Sequence, residues 1–328
     1  MSILIIKPGI LDSFQDLGRF GYSHWGINPG GAADPIAFQL ANALVGNPQE
    51  AAVLECHFPA PQILIEKDCL ISITGANFTP NVDGTPISMN KPVFLRARQV
   101  LHFESPVFGA RTYVAVHGGF KLEKWLDSYS TLLKAKVGGF QGRSLVKMDR
   151  IEFKESVLNC PEMDCHHPIK ELAWKVDDVS FYKESNVLSI VAGKEANKVL
   201  DFQTKISQPY KIKTNSDRMA LNLEGDALQL TEPVEMLSTG VQRGTLQLLP
   251  NGALLILNAD HQTTGGYPRV GHVIKAHWNK LGQITPRSTL HFKLVSLYEA
   301  ENSYIEQQKE LKGIVDQCIE RINQWIKK

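Results

Sequence analysis

Short apolar runs, most of them rich in β-branched residues, recur along this chain and limit what it can fold into. Examples are "SILIIK" (2–7), "PVFLRARQVLHFE" (92–104), "NVLSIVAG" (186–193) and "ALLILNAD" (253–260). Gly, Pro, Asn and Asp separate these runs at close intervals. This spacing is typical of all-β sandwiches and barrels rather than of βαβ units, so it predicts a mainly β fold with few helices.

Two stretches have a helical period instead. In "DPIAFQLANALVGN" (34–47), Asp34 stands at an N-cap, Pro35 at the first helical position and Gly46 just past the end. The stretch 299–328 predicts an amphipathic helix. Its apolar stripe is Leu311, Val315, Cys318, Ile322 and Trp325. The heptads are too few for a convincing coiled coil, so this stripe is expected to cover its own chain rather than a partner.

The length of 328 residues predicts two domains. Polar and turn-forming residues concentrate at 158–178, and the strand pattern restarts after them. We therefore expect one β domain over 1–165, a second over 178–298, and the helix over 299–328.

The charge balance excludes some classes of partner. With 35 basic and 34 acidic residues the formal net charge is +1, which gives no footprint for nucleic acid or an anionic membrane. No signal peptide or membrane span is recognisable, so we expect a cytoplasmic protein. The five scattered cysteines fit free thiols in a reducing compartment. The stretch "CPEMDCHH" (160–167) lacks a standard zinc spacing, so it predicts a linker and no metal site.

The stretch "HQTTGGYP" (261–268) follows a predicted buried strand and is unusually rich in hydrogen-bonding groups. Asp260, Gln262, Thr263 and Thr264 offer donors and acceptors, while the adjacent glycines let backbone N–H groups approach a ligand or bind an oxyanion. A structural turn would not need so many polar side chains together. We therefore favour a functional loop that forms the polar lip of a cleft.

Other candidates have open alternatives. The Gly-rich stretch 12–35 contains Asp16 and Arg19, which either pair to pin the loop or contact a ligand. Glu55 ends an apolar run, where it either pairs with a basic residue or acts as an acid/base. Arg143, in "GGFQGRS" (138–144), could be presented by a tight turn to a carboxylate or phosphate, since the stretch does not fit a phosphate loop. Arg218 is either half of a surface ion pair or a fork for a substrate carboxylate.

Several longer motifs occur in one order along the chain. They are "QDLGRFGY" (15–22), "GGAADPIAFQLANALVGN" (30–47), "AAVLE" (51–55), "ITGA" (73–76), "YVAVHGGF" (113–120), "GGFQGR" (138–143), "SDRM" (216–219) and "DHQTTGGYP" (260–268). Together they resemble the allophanate hydrolase subunit 2 family, also called the biotin-dependent carboxyltransferase family. The resemblance extends from about residue 3 to residue 297.

The resemblance implies two tandem cyclophilin-like β-barrel domains. It also implies a subunit of an ATP-dependent 5-oxoprolinase, which opens 5-oxo-L-proline to L-glutamate. The implied partners are a Kip-inhibitor-like (allophanate hydrolase subunit 1-like) subunit and a third oxoprolinase subunit, with ATP and Mg²⁺ acting at the level of the complex. The chain has no biotinyl-lysine motif, so no covalent cofactor is expected. Two alternatives are a regulatory protein that antagonises a sensor-kinase inhibitor and a carboxyltransferase acting on a urea-like amide.

For a small amide or carboxylate ligand, the resemblance and the residue types suggest two sets of site residues. Asp16, Glu55 and Asp260 are the candidates for proton transfer. The candidates for substrate binding are Gln15, Arg19, Arg143, Arg218, Gln262, Thr263, Thr264, Gly265, Gly266 and Tyr267. The chain departs from the family pattern at four places: Tyr129 and Asn222 each stand where an Arg is usual, His277 stands where an Asp is usual, and "PRS" (286–288) stands where a P-G-D turn is usual.

Overall fold

The computed structural model describes residues 2–154, 169–232, 234 and 236–326. The chain divides into two compact units. The first unit comprises Met1–Gly18, Asp34–Ser180 and Glu310–Lys328, and the second comprises Arg19–Ala33 and Phe181–Lys309. The expected boundary between 165 and 178 stays a prediction, and the expected linker at 160–167 lies outside the described residues.

Twelve strands lie in the described residues of the first unit. They are β1 (Ser2–Lys7), β2 (Asp12–Gln15), β3 (Val53–His57), β4 (Gln62–Ile65), β5 (Cys69–Asn77), β6 (Pro80–Val82), β7 (Thr85–Pro86), β8 (Pro92–Leu95), β9 (Val100–Phe103), β10 (Phe108–Val116), β11 (Arg150–Glu152) and β12 (Ile169–Glu171).

These strands form two six-stranded sheets, in the orders β11-β1-β4-β9-β6-β7 and β12-β8-β5-β10-β3-β2. The apolar face of each sheet supplies one shared core, in which Ile63 and Leu101 come from one sheet and Ile73 and Val114 from the other. Alternation along each strand thus places polar side chains away from this core.

Helix α1 (Pro35–Leu44) begins where the sequence predicts. The Asp34 side chain caps it by accepting hydrogen bonds from the N–H groups of Ile36 and Ala37, at 3.0 and 2.9 Å. Gly46 follows the helix with φ +70°, a left-handed conformation that favours glycine. The predicted helix is therefore confirmed together with both of its end signals.

The second unit contains the remaining strands and most of the short helices. Its strands are β13 (Val187–Ala192), β14 (Tyr210–Ile212), β15 (Ala220–Glu224), β16 (Thr239–Gly240), β17 (Thr245–Leu248), β18 (Leu254–Leu257), β19 (Thr264–Gly265), β20 (Arg269–Val273) and β21 (Thr289–Leu294). The short helices are α2 (Val179–Tyr182), which crosses the boundary between the units, α3 (Phe202–Ile206) and α4 (Trp278–Gln283).

Seven of these strands close into a barrel in the order β13-β20-β17-β18-β15-β14-β21. Parallel pairing of β13 with β21 completes the closure, with Val187 opposite His291. Leu246 and Leu248 of β17 belong to the barrel core. Because side chains alternate along a strand, Thr245 and Gln247 point to the other face. The expected mainly β fold is confirmed.

The last helix, α5 (Leu297–Ile326), is one continuous element of 30 residues. Its predicted stripe is buried at Leu311, Val315, Cys318 and Ile322. A Cβ atom on Gly46 would lie only 2.8 Å from Cγ2 of Ile322, so the helix packs closely on the first unit. The stripe covers its own chain, as predicted. Among the described residues, none of the helices has the length and apolar character to cross a membrane.

Candidate functional site

The loop "HQTTGGYP" forms part of a two-stranded ribbon in the second unit. β19 pairs antiparallel with β16, so that Thr264 lies opposite Gly240 and Gly265 lies opposite Thr239. The N–H group of Val241 extends the pairing by donating to the carbonyl of Thr263 at 3.0 Å. The loop is thus an ordered ribbon rather than an isolated turn.

The two glycines of this ribbon have different surroundings. A Cβ atom on Gly265 would lie 2.4 Å from Nε2 of Gln247. The backbone of Gly265 therefore lies close to a side chain of the barrel, which leaves little room for a larger residue. A Cβ atom on Gly266 would lie 3.5 Å from Oγ of Ser238, which is an ordinary contact. Packing against Gln247 therefore accounts for Gly265. At Gly266 no such contact is made, so this glycine can let a ligand approach the backbone.

The polar side chains of the loop are available at its surface. Gln262, Thr264 and Tyr267 are exposed, and Thr263 is half-buried. Gly266 and Tyr267 also line an open pocket of about 750 Å³, together with residues 227–232 and 248–252. The loop can therefore present hydroxyl, amide and phenol groups to a small molecule.

Three predicted residues from distant stretches of the chain meet in the second unit. Nε and Nη2 of Arg218 donate to Oδ2 and Oδ1 of Asp260 at 2.9 and 3.1 Å. Both side chains are buried, with 4% and 7% of their surface exposed, and Arg19 is equally buried at 2%. A Cβ atom on Gly30 would lie 3.0 Å from Nη1 of Arg19 and 3.8 Å from Oδ1 of Asp260. Arg218 and Asp260 thus form a buried ion pair, and Arg19 and Asp260 both lie beside Gly30. We call these three charged residues the arginine–aspartate cluster.

The carboxylate of Asp260 is held bidentately by Arg218, a geometry that fixes its orientation. An acid or base needs a free lone pair directed at its substrate, so this arrangement suits positioning better than proton transfer. The role of Asp260 in proton transfer stays a prediction.

Arginines also anchor the glycine-alanine segment that precedes α1. Arg218 donates to the carbonyl of Gly31 at 2.8 Å. Nη1 of Arg243 donates to the carbonyl of Ala32 at 3.2 Å, and its Nη2 donates to the carbonyl of Ala33. Sequence reasoning missed Arg243, because nothing local to it signals a partner more than 200 residues earlier in the chain.

In the first unit, the carboxylate of Asp16 organises the loop after β10. Oδ1 accepts hydrogen bonds from the hydroxyls of Ser128 and Ser130 at 2.7 and 2.6 Å and from the N–H group of Gly18 at 2.8 Å. Oδ2 accepts from the N–H group of Tyr129 at 2.5 Å. Four donors converge on a side chain that is 4% exposed, so its position favours pinning the loop over catalysis.

Tyr129, which replaces a usual arginine, lies between two lysines. Nζ of Lys154 donates to the phenol oxygen at 2.8 Å and lies 4.4 Å from the ring centroid. Nζ of Lys124 lies 5.3 Å from the same centroid. Positive charge is therefore retained at this position although the arginine is absent.

Glu55 is fully buried between strands. Its Oε2 accepts a hydrogen bond from the hydroxyl of Tyr113 at 2.8 Å, and its Oε1 lies 3.8 Å from Nε of Arg111. The Tyr113 oxygen in turn accepts from the N–H group of Asp34 at 2.8 Å. Burial, followed by the charge of Glu55, raises the pKa of Tyr113, which therefore stays a donor. These contacts are the ones expected if Glu55 pairs with a basic residue rather than acting as an acid or base.

Two other predicted residues have local partners. The side-chain nitrogen of Gln15, which is fully buried, donates to Oγ of Ser13 at 2.9 Å. Arg143 donates from Nη1 and Nη2 to Asp149 at 2.7 and 2.8 Å, and from Nη2 to Gln141 at 2.7 Å. Hydrogen bonding to Asp149 raises the pKa of Arg143. The predicted turn is present, and it directs Arg143 to its own neighbours.

The other departures from the family pattern have structural contacts. Nδ1 of His277 accepts a hydrogen bond from the N–H group of Ser189 at 2.9 Å. Burial, followed by the charges of nearby lysines, lowers the pKa of His277 to about 3, so the ring is neutral. The N–H group of Asn222 donates to Oγ of Ser216 at 2.9 Å. An aspartate at 277 would offer the same acceptor to Ser189.

Comparison with known proteins agrees with this fold and these motifs. The family described as "Carboxyltransferase domain, subdomain A and B" matches residues 25–294. The crystal structure of the K. lactis urea amidolyase superposes with a TM-score of 0.85 at 23% identity, covering 95% of this chain and 20% of that chain. That likeness shows a shared fold.

Two curated relatives, both C subunits of a 5-oxoprolinase, are similar over almost their whole length. The one from Haemophilus influenzae is 31% identical over 312 residues, which is 93% of this chain and 96% of the relative. The one from Escherichia coli is 32% identical over 311 residues, 93% of this chain and 95% of the relative. The chain belongs to the carboxyltransferase domain, subdomain A and B family, as its motifs predicted.

Proposed function

We propose that this chain is the C subunit of an ATP-dependent 5-oxoprolinase, which opens 5-oxo-L-proline to L-glutamate. The observation that carries the proposal is the similarity to two relatives of that name over nearly the full length of each. The retained "DHQTTGGYP" motif supports the proposal, because it keeps polar side chains exposed at the surface of the second unit.

The substrate carries a carboxylate and a lactam, and each needs its own kind of contact. Water attacks the lactam carbon slowly, so the amide oxygen must be activated, and phosphorylation by ATP at the level of the complex would supply this. Ring opening then requires donors that stabilise the oxyanion and a proton for the leaving nitrogen. Thr263, Thr264 and the amide of Gly266 are the proposed donors, and the arginine–aspartate cluster is the proposed support for the substrate carboxylate.

The proposal also implies other proteins. The family resemblance suggests a Kip-inhibitor-like subunit and a third oxoprolinase subunit as partners, and ATP and Mg²⁺ would act in the assembled complex.

The test is reconstitution from purified components. The two candidate partner subunits, ATP, Mg²⁺ and 5-oxo-L-proline are mixed with and without this chain, and glutamate release is measured. The proposal expects release only when this chain, both partners and ATP are all present. A stable complex without release would favour the regulatory alternative, in which this chain antagonises a sensor-kinase inhibitor.

A second candidate function is carboxyl transfer to a urea-like amide. The family description favours it, and so does a 29% identity over 325 residues with the urea amidolyase of Saccharomyces cerevisiae, of which this chain covers 17%. Because the chain lacks a biotinyl-lysine motif, carboxybiotin would come from another protein. Transfer of labelled carboxylate from free carboxybiotin to urea, with no glutamate release, would select this function.

A further inference from the structure

Gln247 is a buried carboxamide with an unused donor. It lies on β17 with its side chain on the face opposite to the barrel core, and none of its surface is exposed. Its Nε2 has no hydrogen-bond acceptor among the residues that the structure describes. A buried donor without a partner destabilises the folded state, so a native protein that keeps one needs a reason.

The surroundings of Gln247 belong to the functional loop. Gly265 lies directly over its carboxamide, since a Cβ atom there would be 2.4 Å from Nε2. The exposed side chain of Gln262 donates to Oε1 across a long 3.5 Å. Both ends of the Gln247 amide thus face residues of "HQTTGGYP", and the acceptor end is only weakly used.

We propose that Gln247 recognises the amide edge of the substrate and so determines specificity for a cis amide. A ring forces the lactam N–H and C=O of 5-oxoproline onto the same side, and a primary carboxamide offers the complementary pair. Nε2 donates to the substrate carbonyl while Oε1 accepts from the substrate N–H. Urea has an N–H and a C=O in the same relation, so one residue serves the amide chemistry of both proposed functions.

Access to Gln247 requires a movement of the loop above it. The ribbon of β16 and β19 is only two residues long in each strand, and the Gln262 contact is long. Few hydrogen bonds therefore oppose its displacement. The substrate amide replaces the Gln262 contact and satisfies the free donor when it binds.

The test uses the reconstituted complex and rests on the proposed function. Gln247→Met keeps the size of the side chain and removes both hydrogen bonds, while Gln247→Glu keeps the acceptor and removes the donor. Gln203→Glu is the matched control, because Gln203 is exposed on α3 of the same unit. Circular dichroism and Tm establish that each variant is folded.

We expect both Gln247 variants to raise KM for 5-oxo-L-proline about 10- to 100-fold with little change in kcat, as for a group that binds ground state and transition state alike. Inhibition gives a second readout. The lactam 2-pyrrolidone should inhibit the unaltered complex more strongly than γ-butyrolactone, which lacks the N–H, and Gln247→Met should abolish this preference. A Gln247→Met complex with unchanged KM and unchanged lactam preference would overturn the inference.

Failure of the proposed function would be visible separately. If the unaltered complex releases no glutamate, saturation-transfer NMR with 2-pyrrolidone tests on this chain alone whether Gln247 binds a cis amide. Transfer that disappears in Gln247→Met supports recognition of a cis amide. Equal transfer in both proteins, or none in the unaltered chain, overturns it.

Discussion

The guanidinium of Arg218 holds the carboxylate of Asp260 through two hydrogen bonds, of 2.9 and 3.1 Å, across a sequence separation of 42 residues. The same arginine donates to the carbonyl of Gly31, so one side chain joins the "SDRM" motif, the "DHQTTGGYP" motif and the N-terminal glycine-rich stretch. The arginine–aspartate cluster therefore fixes how the candidate loop leaves the barrel.

Replacing Asp260 by Asn should destabilise the protein strongly. The variant removes the charge that Asp260 contributes to a buried ion pair with Arg218, and breaking such a pair costs about 3–5 kcal/mol. Asp226→Asn is the matched control, since Asp226 pairs with Lys205 at the surface, with a side chain 66% exposed, and such pairs contribute at most about 1 kcal/mol. Urea unfolding of both variants measures the difference, and equal losses would contradict a structural role for the cluster.

Asp12 should make the protein less stable as the pH rises. Burial raises its pKa from the ordinary 3.8 to about 7, so between these values the folded protein keeps a proton that the unfolded chain releases. The stability that this group contributes therefore falls by up to about 4 kcal/mol as the pH rises from about 4 to 7. Above about pH 7 the contribution is constant. Asp12→Asn should remove that slope in urea unfolding at several pH values, whereas exposed Asp127→Asn should keep it.

His277 should act in the opposite direction. Its pKa is lowered to about 3, so below the ordinary value of 6.5 the unfolded chain binds a proton that the folded protein refuses. The stability that this group contributes is complete above about pH 6.5 and decreases by up to about 5 kcal/mol as the pH falls towards 3. In urea unfolding at several pH values, His277→Asn should reduce the loss of stability at acidic pH. His24→Asn, an exposed control, should leave that loss unchanged. If His277→Asn loses as much stability at acidic pH as the unaltered chain, the His277 ring is not the cause of that loss.

The two glycines of the loop should differ in their tolerance of a methyl group. Gly265→Ala places Cβ against the amide of Gln247, and such overpacking costs about 1–3 kcal/mol. Gly266→Ala makes an ordinary contact and should change stability by less than about 0.5 kcal/mol. Paired urea titrations measure both. A Gly265→Ala variant as stable as the unaltered chain would mean that Gln247 gives way easily.

Thr264 should matter for activity and not for stability. Its side chain is exposed on β19, so Thr264→Val keeps shape and ribbon pairing while it removes one hydroxyl. We expect about a 10-fold or larger loss of kcat for glutamate release, as for removal of an oxyanion donor, with Tm unchanged. Thr239→Val, on the facing strand of the same ribbon, is the control. Equal kcat in the two variants would remove Thr264 from the site.

The sequence predicted well the features that depend on neighbouring residues. Asp34, Pro35 and Gly46 gave both ends of α1, because capping acts within one turn of the chain. The spacing from Leu311 to Ile322 predicted which face of α5 is buried. The motif resemblance predicted the family and a mainly β fold.

The partners of the candidate site residues could not be predicted in the same way. Glu55 meets Tyr113, 58 residues away, only because the register of β3 and β10 sets them opposite each other. Gly265 lies against Gln247 of a different strand, which no local pattern indicates. Residue types suggested which groups could do chemistry, and tertiary structure decided which of them are already committed to one another.

The most direct test of the central claim is the yield of glutamate per ATP hydrolysed by the reconstituted subunits. With this chain present, the account predicts glutamate release coupled to ATP hydrolysis, and it predicts neither 5-oxo-L-proline consumption nor glutamate when this chain alone is omitted. Glutamate release at the same rate and yield without this chain would contradict the account.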